Sequence, residues 1–415
     1  MRDNLFNDNV MQLGEYILFA LKEKTAKLQD ELTAKGRAPI SLAMGAPTAM
    51  PPKFAIDRLK ELLDRSDVHT YSTPKGELYF RQAVSQYMKR RFGVEIDAEK
   101  EVFSLIGSKE GLANMARALI TPRAEQLNKD IILVPDPCYA SYYEFIKCSG
   151  GAAYSIPLTR ENDYKPDLDE VWANLIKDGY NPENVKAMIF NFPNNPLGAI
   201  TTKEYAKKCL EFCKKRDILM ISDAAYCDLY FDESAKPFSI FEIEGAKEIS
   251  VEFFSFSKPY AMTGWRAGWI CGNAEVVRLF GKAKSTVDNG MFKAIQIACA
   301  DVLNSKEGDE YIARENQNYK RKQAFTVKGF KELGWDIDES KVPPTTFYLW
   351  LPIPPRYETS VKFCDELLEK SGIVTVPGNY FGKQGEGFFR VSYVCSEEEL
   401  HEVFERLKAD GFYFN

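Results

Sequence analysis

The sequence predicts an α/β fold: a large, mostly parallel sheet flanked by helices, followed by a smaller α+β domain. Three features carry this. Between residues 98 and 290, short apolar runs alternate with amphipathic helical stretches. The runs are almost continuously apolar, as in strands covered on both faces, and do not alternate as half-exposed strands do. At 415 residues the chain exceeds one ordinary core, and beyond residue 290 the pattern shifts to longer helices. The expected division is an N-terminal arm that joins the small domain (1–50), a large domain (51–292) and a small C-terminal domain (293–415).

Residues 8–36 place Val10, Leu13, Ile17, Leu18 and Leu21 at helical spacing, and Gly36 stops the pattern. SLAMGAPTAMPP, from Ser41, reads as a strand start that runs into a Gly and Pro loop. Strands are expected at 102–106, 131–135, 152–158, 186–192, 217–222, 250–256 and 266–272. Helices are expected between them at 109–120, 139–149, 168–178 and 203–216. The last third should hold helices at 292–304, 309–333, 359–370 and 397–410, with strands near 345–351, 373–376 and 387–394.

Composition narrows the chemistry. A net charge of −6 offers no footprint for nucleic acid. No apolar stretch approaches membrane-spanning length, and MRDNLFNDNV has no signal-peptide core. The nine cysteines include no C-x-x-C pair; even Cys209 and Cys213, one helical turn apart, read as packing residues in a reducing cytoplasm. With only His69 and His401 present, histidine-centred catalysis and a multi-histidine metal site are both disfavoured, and no metal is expected. Lys, Asp, Tyr, Arg or a cofactor must do the work.

Parallel sheets bind ligands beyond the carboxyl ends of their strands. The richest strand end is in SVEFFSFSKPYAMTGWRAGWI, where an apolar run delivers Ser255, Ser257 and Lys258, with Arg266 eight residues on. Pro259 favours a strand exit or turn at the lysine. A lysine among apolar neighbours loses its proton more easily than a solvated one, as an amine nucleophile requires. The serines and the Arg fork would suit a phosphate. The plain alternative is a solvated lysine.

Other strand ends add to this. Gly107-Ser108-Lys109-Glu110-Gly111 opens a helix whose free N–H groups suit an anion. Tyr139 follows the run IILVP and either packs under its loop or stacks on a planar ligand. Asn195, held extended by Pro196, has an amide able to point into a cleft or simply close a turn. Asp223 ends a buried run with no Lys or Arg near it in sequence, so it asks for a cation that a protonated ring nitrogen could supply. Arg390, inside GFFRVSYV, needs an anion: a substrate carboxylate, or one of the chain's own acids. Gly45 could bring its backbone near a ligand, or be a turn glycine. An amine, a phosphate cradle, a stacking ring, a lone carboxylate and a carboxylate fork together fit pyridoxal 5'-phosphate.

With these motifs the chain resembles the class I/II aminotransferases of the fold-type-I pyridoxal-phosphate enzymes over nearly its whole length. The matching segments are SLAMGAP, YSTPKGELYFR, IGSKEGL, DPCYASY, NFPNNPLGA, ISDAAYCDLYFD, SFSKPYAMTGWRAGW and FFRVSY. Their forms look most like the LL-diaminopimelate and aspartate-type members. The resemblance implies that Lys258 attaches the cofactor and transfers protons, while Asp223 keeps the ring nitrogen protonated. It places Tyr226 and Asn195 on the ring's phenolic oxygen and Tyr139 on its face. Ser108 and Lys109 (through backbone N–H), Ser255, Ser257 and Arg266 would hold the phosphate. Tyr71 would reach the phosphate of a neighbouring subunit, which implies a homodimer. Arg390, the Gly45 backbone and the Asn195 amide would hold the substrate carboxylate.

The implied reaction is ping-pong amino transfer between an amino acid and a 2-oxo acid, with aspartate- or LL-diaminopimelate-like substrates. A C–S β-lyase shares the same cofactor residues. A non-catalytic regulator is the other class, and the chain has neither a helix-turn-helix appendage nor a basic patch for it. The sequence departs from the family pattern at Gly45-Ala46-Pro47-Thr48, Leu197, Pro259 and STVDNGMFKAIQ. Those departures bear on side-chain specificity, for which Lys109, Lys293 and Tyr16 are candidates.

Overall fold

The computed structural model describes residues 5–15, 17–123 and 125–415. The helical pattern of 8–36 is realised as two helices, Asp8–Met11 and Ile17–Ala34. The stretch between them contains Gly14, which costs a helix interior about 1 kcal/mol relative to alanine. Strand β1 (Ile40–Ser41) follows.

The large sheet contains β2 (Val102–Leu105), β3 (Ile131–Asp136), β4 (Ala152–Pro157), β5 (Val185–Phe190), β6 (Leu219–Asp223), β7 (Ser250–Ser255) and β8 (Gly268–Gly272). Their order across the sheet is β2-β8-β7-β6-β5-β3-β4. Neighbours from β7 to β4 run parallel, whereas β8 is antiparallel to both β7 and β2. The carboxyl ends of β2, β3, β5, β6 and β7 therefore open on one rim. Apolar side chains fill both faces: Leu133, Met188 and Phe254 belong to one cluster, Ile132, Ile189 and Phe253 to another. Alternate residues of each strand thus serve opposite layers, which is why the runs are apolar throughout.

The second unit has a three-stranded antiparallel sheet of β11 (Val376–Pro377), β12 (Phe388–Ser392) and β9 (Tyr348–Pro352). The strand expected at 373–376 splits at Thr375, because β10 (Ile373–Val374) pairs instead with β1, in parallel. That pairing ties the N-terminal segment to this unit, and Ile40 and Leu42 share its core with Phe330, Phe363 and Phe389. Helix Lys293–Leu303, which the sequence pattern groups with the C-terminal part, packs with the large unit. Its Ala294 and Ala298 meet Leu62 and Val68. The following helix, Lys306–Glu332, places Tyr311 in the large core and Tyr319, Val327 and Phe330 in the other.

One acid lies at the heart of the sheet. Glu252 of β7 is buried and accepts hydrogen bonds from Ser222 Oγ (2.9 Å), Ser239 Oγ (2.5 Å) and the Ile240 N–H (3.3 Å). Burial pushes its pKa from 4.5 up to about 7, against the pull of those donors. The folded chain then holds a proton that the unfolded chain releases, so stability should fall as pH rises from 4.5 towards 7 and level off above. Glu252→Gln should remove a share of that fall on the order of 3 kcal/mol, read by denaturant titration across this range. Parallel stability curves for the two proteins would contradict the assignment.

Candidate active site

A cavity of about 300 Å³ opens where the strand ends of the large sheet meet the second unit. Lys258, Asp223, Tyr226, Tyr139, Ser108, Lys109, Asn195, Ser255, Ser257, Arg266, Gly45 and Arg390 all line it. Tyr71 lies outside, 84% exposed on the surface. Lys293 also lies outside and donates to Thr70 Oγ1 (2.7 Å). Tyr16 is not among the described residues.

Sheet register explains the convergence. Gly268, the first residue of β8, pairs with both Leu105 and Ser255. The loop after β2 and the turn after β7 thus flank β8, and Arg266 precedes it between them. Gly107 has φ +107° and caps helix Ser108–Leu119; a Cβ there would run into the Arg266 guanidinium. The result is a cradle of free helix N–H groups and an arginine, with Ser255 and Ser257 buried beside it. Arg266 is exposed, donates to Thr263 O (2.7 Å), and pairs with no acid among the described residues. Such a cradle suits a phosphate.

Lys258 sits in the turn after β7, as Pro259 predicts. Its Nζ donates to Gly45 O at 2.5 Å and lies 5.9 Å from the Tyr226 ring centroid. Burial, reinforced by the charges of Arg390 and Arg266, lowers its pKa from 10.5 to about 8, against the pull of Asp223. Asp223, at the end of β6, accepts from Tyr142 Oη (2.5 Å) and from the Ala225 N–H (3.2 Å). It makes no ion pair among the described residues, and burial pushes its pKa up. A cationic ligand atom would relieve it. Tyr139 lies edge-on to Tyr142, with centroids 5.7 Å apart.

Arg390, on β12, is 5% exposed and pairs with no acid of the chain's described residues. Its Nη1 donates to Asn195 Oδ1 and its Nη2 to Ala43 O, both at 2.8 Å, while Nε is buried with no partner. The ring centroids of Tyr348 and Phe381 lie 4.3 and 4.8 Å from the guanidinium carbon. Because Asn195 meets the arginine through its oxygen, its amide nitrogen is left for another acceptor. A buried guanidinium satisfied by neutral oxygens alone lacks a counter-charge, and a ligand carboxylate would provide one.

The structure adds site residues that the strand-end survey does not include. Tyr142 could have been found, since it stands three residues after Tyr139, in the first turn of helix Ser141–Cys148. Asn191, which donates to Asp223 O (3.0 Å) and accepts from the Asn195 N–H (3.3 Å), had a buried strand end as its signal. Tyr348, 2.8 Å from Tyr226 Oη, arrives from the other unit, and nothing local marks it.

Residues 37–407 match the family described as aminotransferase class I and II. The chain belongs to this family. It is 37% identical to an LL-diaminopimelate aminotransferase of Moorella thermoacetica over 96% of each chain. With another so named, from Syntrophobacter fumaroxidans, it shares 39% over 94% of this chain and 96% of the relative. Among solved structures, substrate-bound BacF from Bacillus subtilis superposes with a TM-score of 0.89 at 32% identity, over 99% of each chain. An aspartate aminotransferase double mutant from Thermus thermophilus gives 0.85 at 25%, over 99% of this chain and 100% of that one. The protein is a pyridoxal-phosphate-dependent aminotransferase with the fold of that group. The residues present fit the cofactor: an arginine cradle that meets no acid and a buried carboxylate that meets no cation among the described residues, with a lysine of lowered pKa in the same cavity.

Without cofactor, Lys258 should react as an amine with a midpoint near pH 8. Its neutral fraction rises with pH, so competitive acetylation read by mass spectrometry should level off above about pH 9 at this lysine, while surface lysines are still gaining reactivity. A midpoint near 10.5 would show that the cavity leaves the amine unperturbed.

Proposed function

We propose that the chain transfers an amino group between an α-amino acid and a 2-oxo acid, with the cavity residues in the following roles. The observation that carries the reading is the buried Arg390 fork, which meets only neutral oxygens and no acid among the described residues, in one cavity with the low-pKa Lys258. Arg390 and the Asn195 amide hold the substrate α-carboxylate, which orients the Cα–H bond. Lys258 would attach the cofactor and, once the substrate's amino group has displaced it, its neutral amine would be free to take the proton from the substrate Cα. Bound pyridoxal phosphate supplies an aldehyde for the amine and a ring that accepts electrons. Asp223 keeps the ring nitrogen protonated, and the hydrogen bond from Tyr142 fixes that carboxylate in place. Tyr226 and Asn195 meet the ring's phenolic oxygen, and Tyr139 covers its face. Ser108 and Lys109 (through backbone N–H), Ser255, Ser257 and Arg266 take the phosphate.

The names of the relatives support a donor of LL-diaminopimelate type. The active form is a homodimer in which Tyr71, exposed and away from its own cavity, reaches the site of the second copy. The two units divide along helix Lys306–Glu332. Nine cysteines without a disulfide, and no helix long and apolar enough to cross a membrane among the described residues, accord with a cytoplasmic enzyme.

Lys258→Ala should abolish the visible absorbance of the lysine-attached cofactor, and an unchanged spectrum would refute the attachment. Arg390→Ala should raise KM for amino acids about a hundredfold, the loss of a charge-assisted pair, with cofactor affinity unchanged by equilibrium dialysis. Weaker cofactor binding with an unchanged KM would move Arg390 to the cofactor.

A further inference from the structure

The stretch 285–296, where the sequence departs from the family pattern, starts beside a lysine that lies outside the cavity. Lys284 ends helix Ala274–Lys284 and has no exposed surface. Its Nζ donates to Glu110 Oε1 (3.0 Å) and to Asp288 Oδ1 (3.0 Å) and Oδ2 (2.8 Å). All three ammonium hydrogens are therefore spent on carboxylates. Asp288 is itself held, because its Oδ1 accepts the Gly290 N–H at 2.7 Å. A buried lysine with two acids costs desolvation, and none of the roles given above uses it.

Glu110 links this cluster to the site. It is the third residue of helix Ser108–Leu119, whose free N–H groups form the phosphate cradle. Its Oε2 accepts the Ile106 N–H at 3.2 Å, so the carboxylate reaches back across Gly107. Gly107 has no side chain with which to cap the helix, and it lies against the Arg266 guanidinium. The Glu110 carboxylate thus sets the turn on which the cradle N–H groups and Arg266 meet. Burial pushes the Glu110 pKa up, and the Lys284 ammonium pulls against that rise. Without Lys284, Glu110 would face Asp288 as an unshielded like charge, and taking a proton or turning away would release the Ile106 N–H.

We propose that Lys284 is a positioning residue for the cofactor phosphate. It holds Glu110, Glu110 holds the Ile106-Gly107-Ser108 turn, and the turn aims the cradle N–H groups. The proposal rests on the aminotransferase reading and its phosphate cradle, and adds the residue that sets that cradle. The loss of Lys284 falls on the phosphate and spares the ring, which Lys258, Asp223 and Tyr139 hold. One charge-assisted bond is worth about tenfold in affinity.

The test loads the full-length, cofactor-stripped protein with pyridoxal 5'-phosphate or with pyridoxal, which lacks the phosphate. Equilibrium dialysis reads both dissociation constants. Lys284→Met should weaken pyridoxal 5'-phosphate about tenfold and leave pyridoxal within about twofold. Glu110→Gln, whose amide keeps one of the two acceptor oxygens, should do the same. The double variant should fall no further than the weaker single one, since both act on one turn. If Lys284→Met does not fold, Glu110→Gln decides, because the proposal has no route to the phosphate except that carboxylate. Equal losses for the two ligands would show a general structural role and overturn the proposal. So would an unchanged Glu110→Gln, or losses that add in the double variant; the cradle itself would then stand. A wild-type protein that binds pyridoxal as tightly as its phosphate would overturn both the cradle and this proposal.

Discussion

The site depends on one electrostatic constraint: Lys258, Arg266 and Arg390 meet one carboxylate, Asp223, in a cavity where none of the four forms an ion pair among the described residues. Lys258, Arg266 and Arg390 spend their donors on carbonyl and amide oxygens, and Asp223 accepts from a tyrosine and a backbone N–H. Burial, reinforced by the charges of Arg390 and Arg266, lowers the Lys258 pKa, while the isolation of Asp223 preserves its demand for a positive charge. An Asp or Glu among the cations would oppose that lowering and offer them a partner within the chain. The protein as a whole carries −6, so withholding acids from this cavity is a local property of its strand ends rather than of its composition.

Holding such a cluster requires both units. The large sheet supplies Lys258 and Asp223, β12 supplies Arg390, β9 supplies Tyr348, and the segment after β1 supplies Gly45. A Cβ on Gly45 would stand 2.7 Å from Tyr348 Oη, so any side chain there would push that hydroxyl aside. The pairing of β1 with β10 is what brings that backbone there. The arm, the two units and the charge arrangement are one construction.

Much of this could be read from the chain because both signals are local. A buried parallel strand is apolar along its length, and the few residues that end or follow it lie at the rim, so Asp223, Asn195, Tyr139 and Lys258 could be named from their positions as candidates, each with a plain structural alternative. What could not be read depends on long-range geometry. Tyr348 meets Tyr226 across 122 positions, and the splitting of 373–376 follows from the arrival of β1. Helix Lys293–Leu303 has an apolar face that suits either unit, and only its contacts with Leu62 and Val68 decide which. The second acceptor of the Arg390 fork, Ala43 O, is backbone, which has no sequence signature at all.

Helix Lys306–Glu332 is rooted in both cores, with Tyr311 at one end and Phe330 near the other. At 27 residues it is ~40 Å long, which makes it a rigid lever between the two halves. A tilt of about 5° about its Tyr311 end would carry the far end ~3 Å. That distance is as long as the 2.8 Å bond between Arg390 and Asn195, which come from opposite halves. The helix thus ties the spacing of the two halves to that one bond: a tilt of this size would be enough to part carboxylate fork and amide.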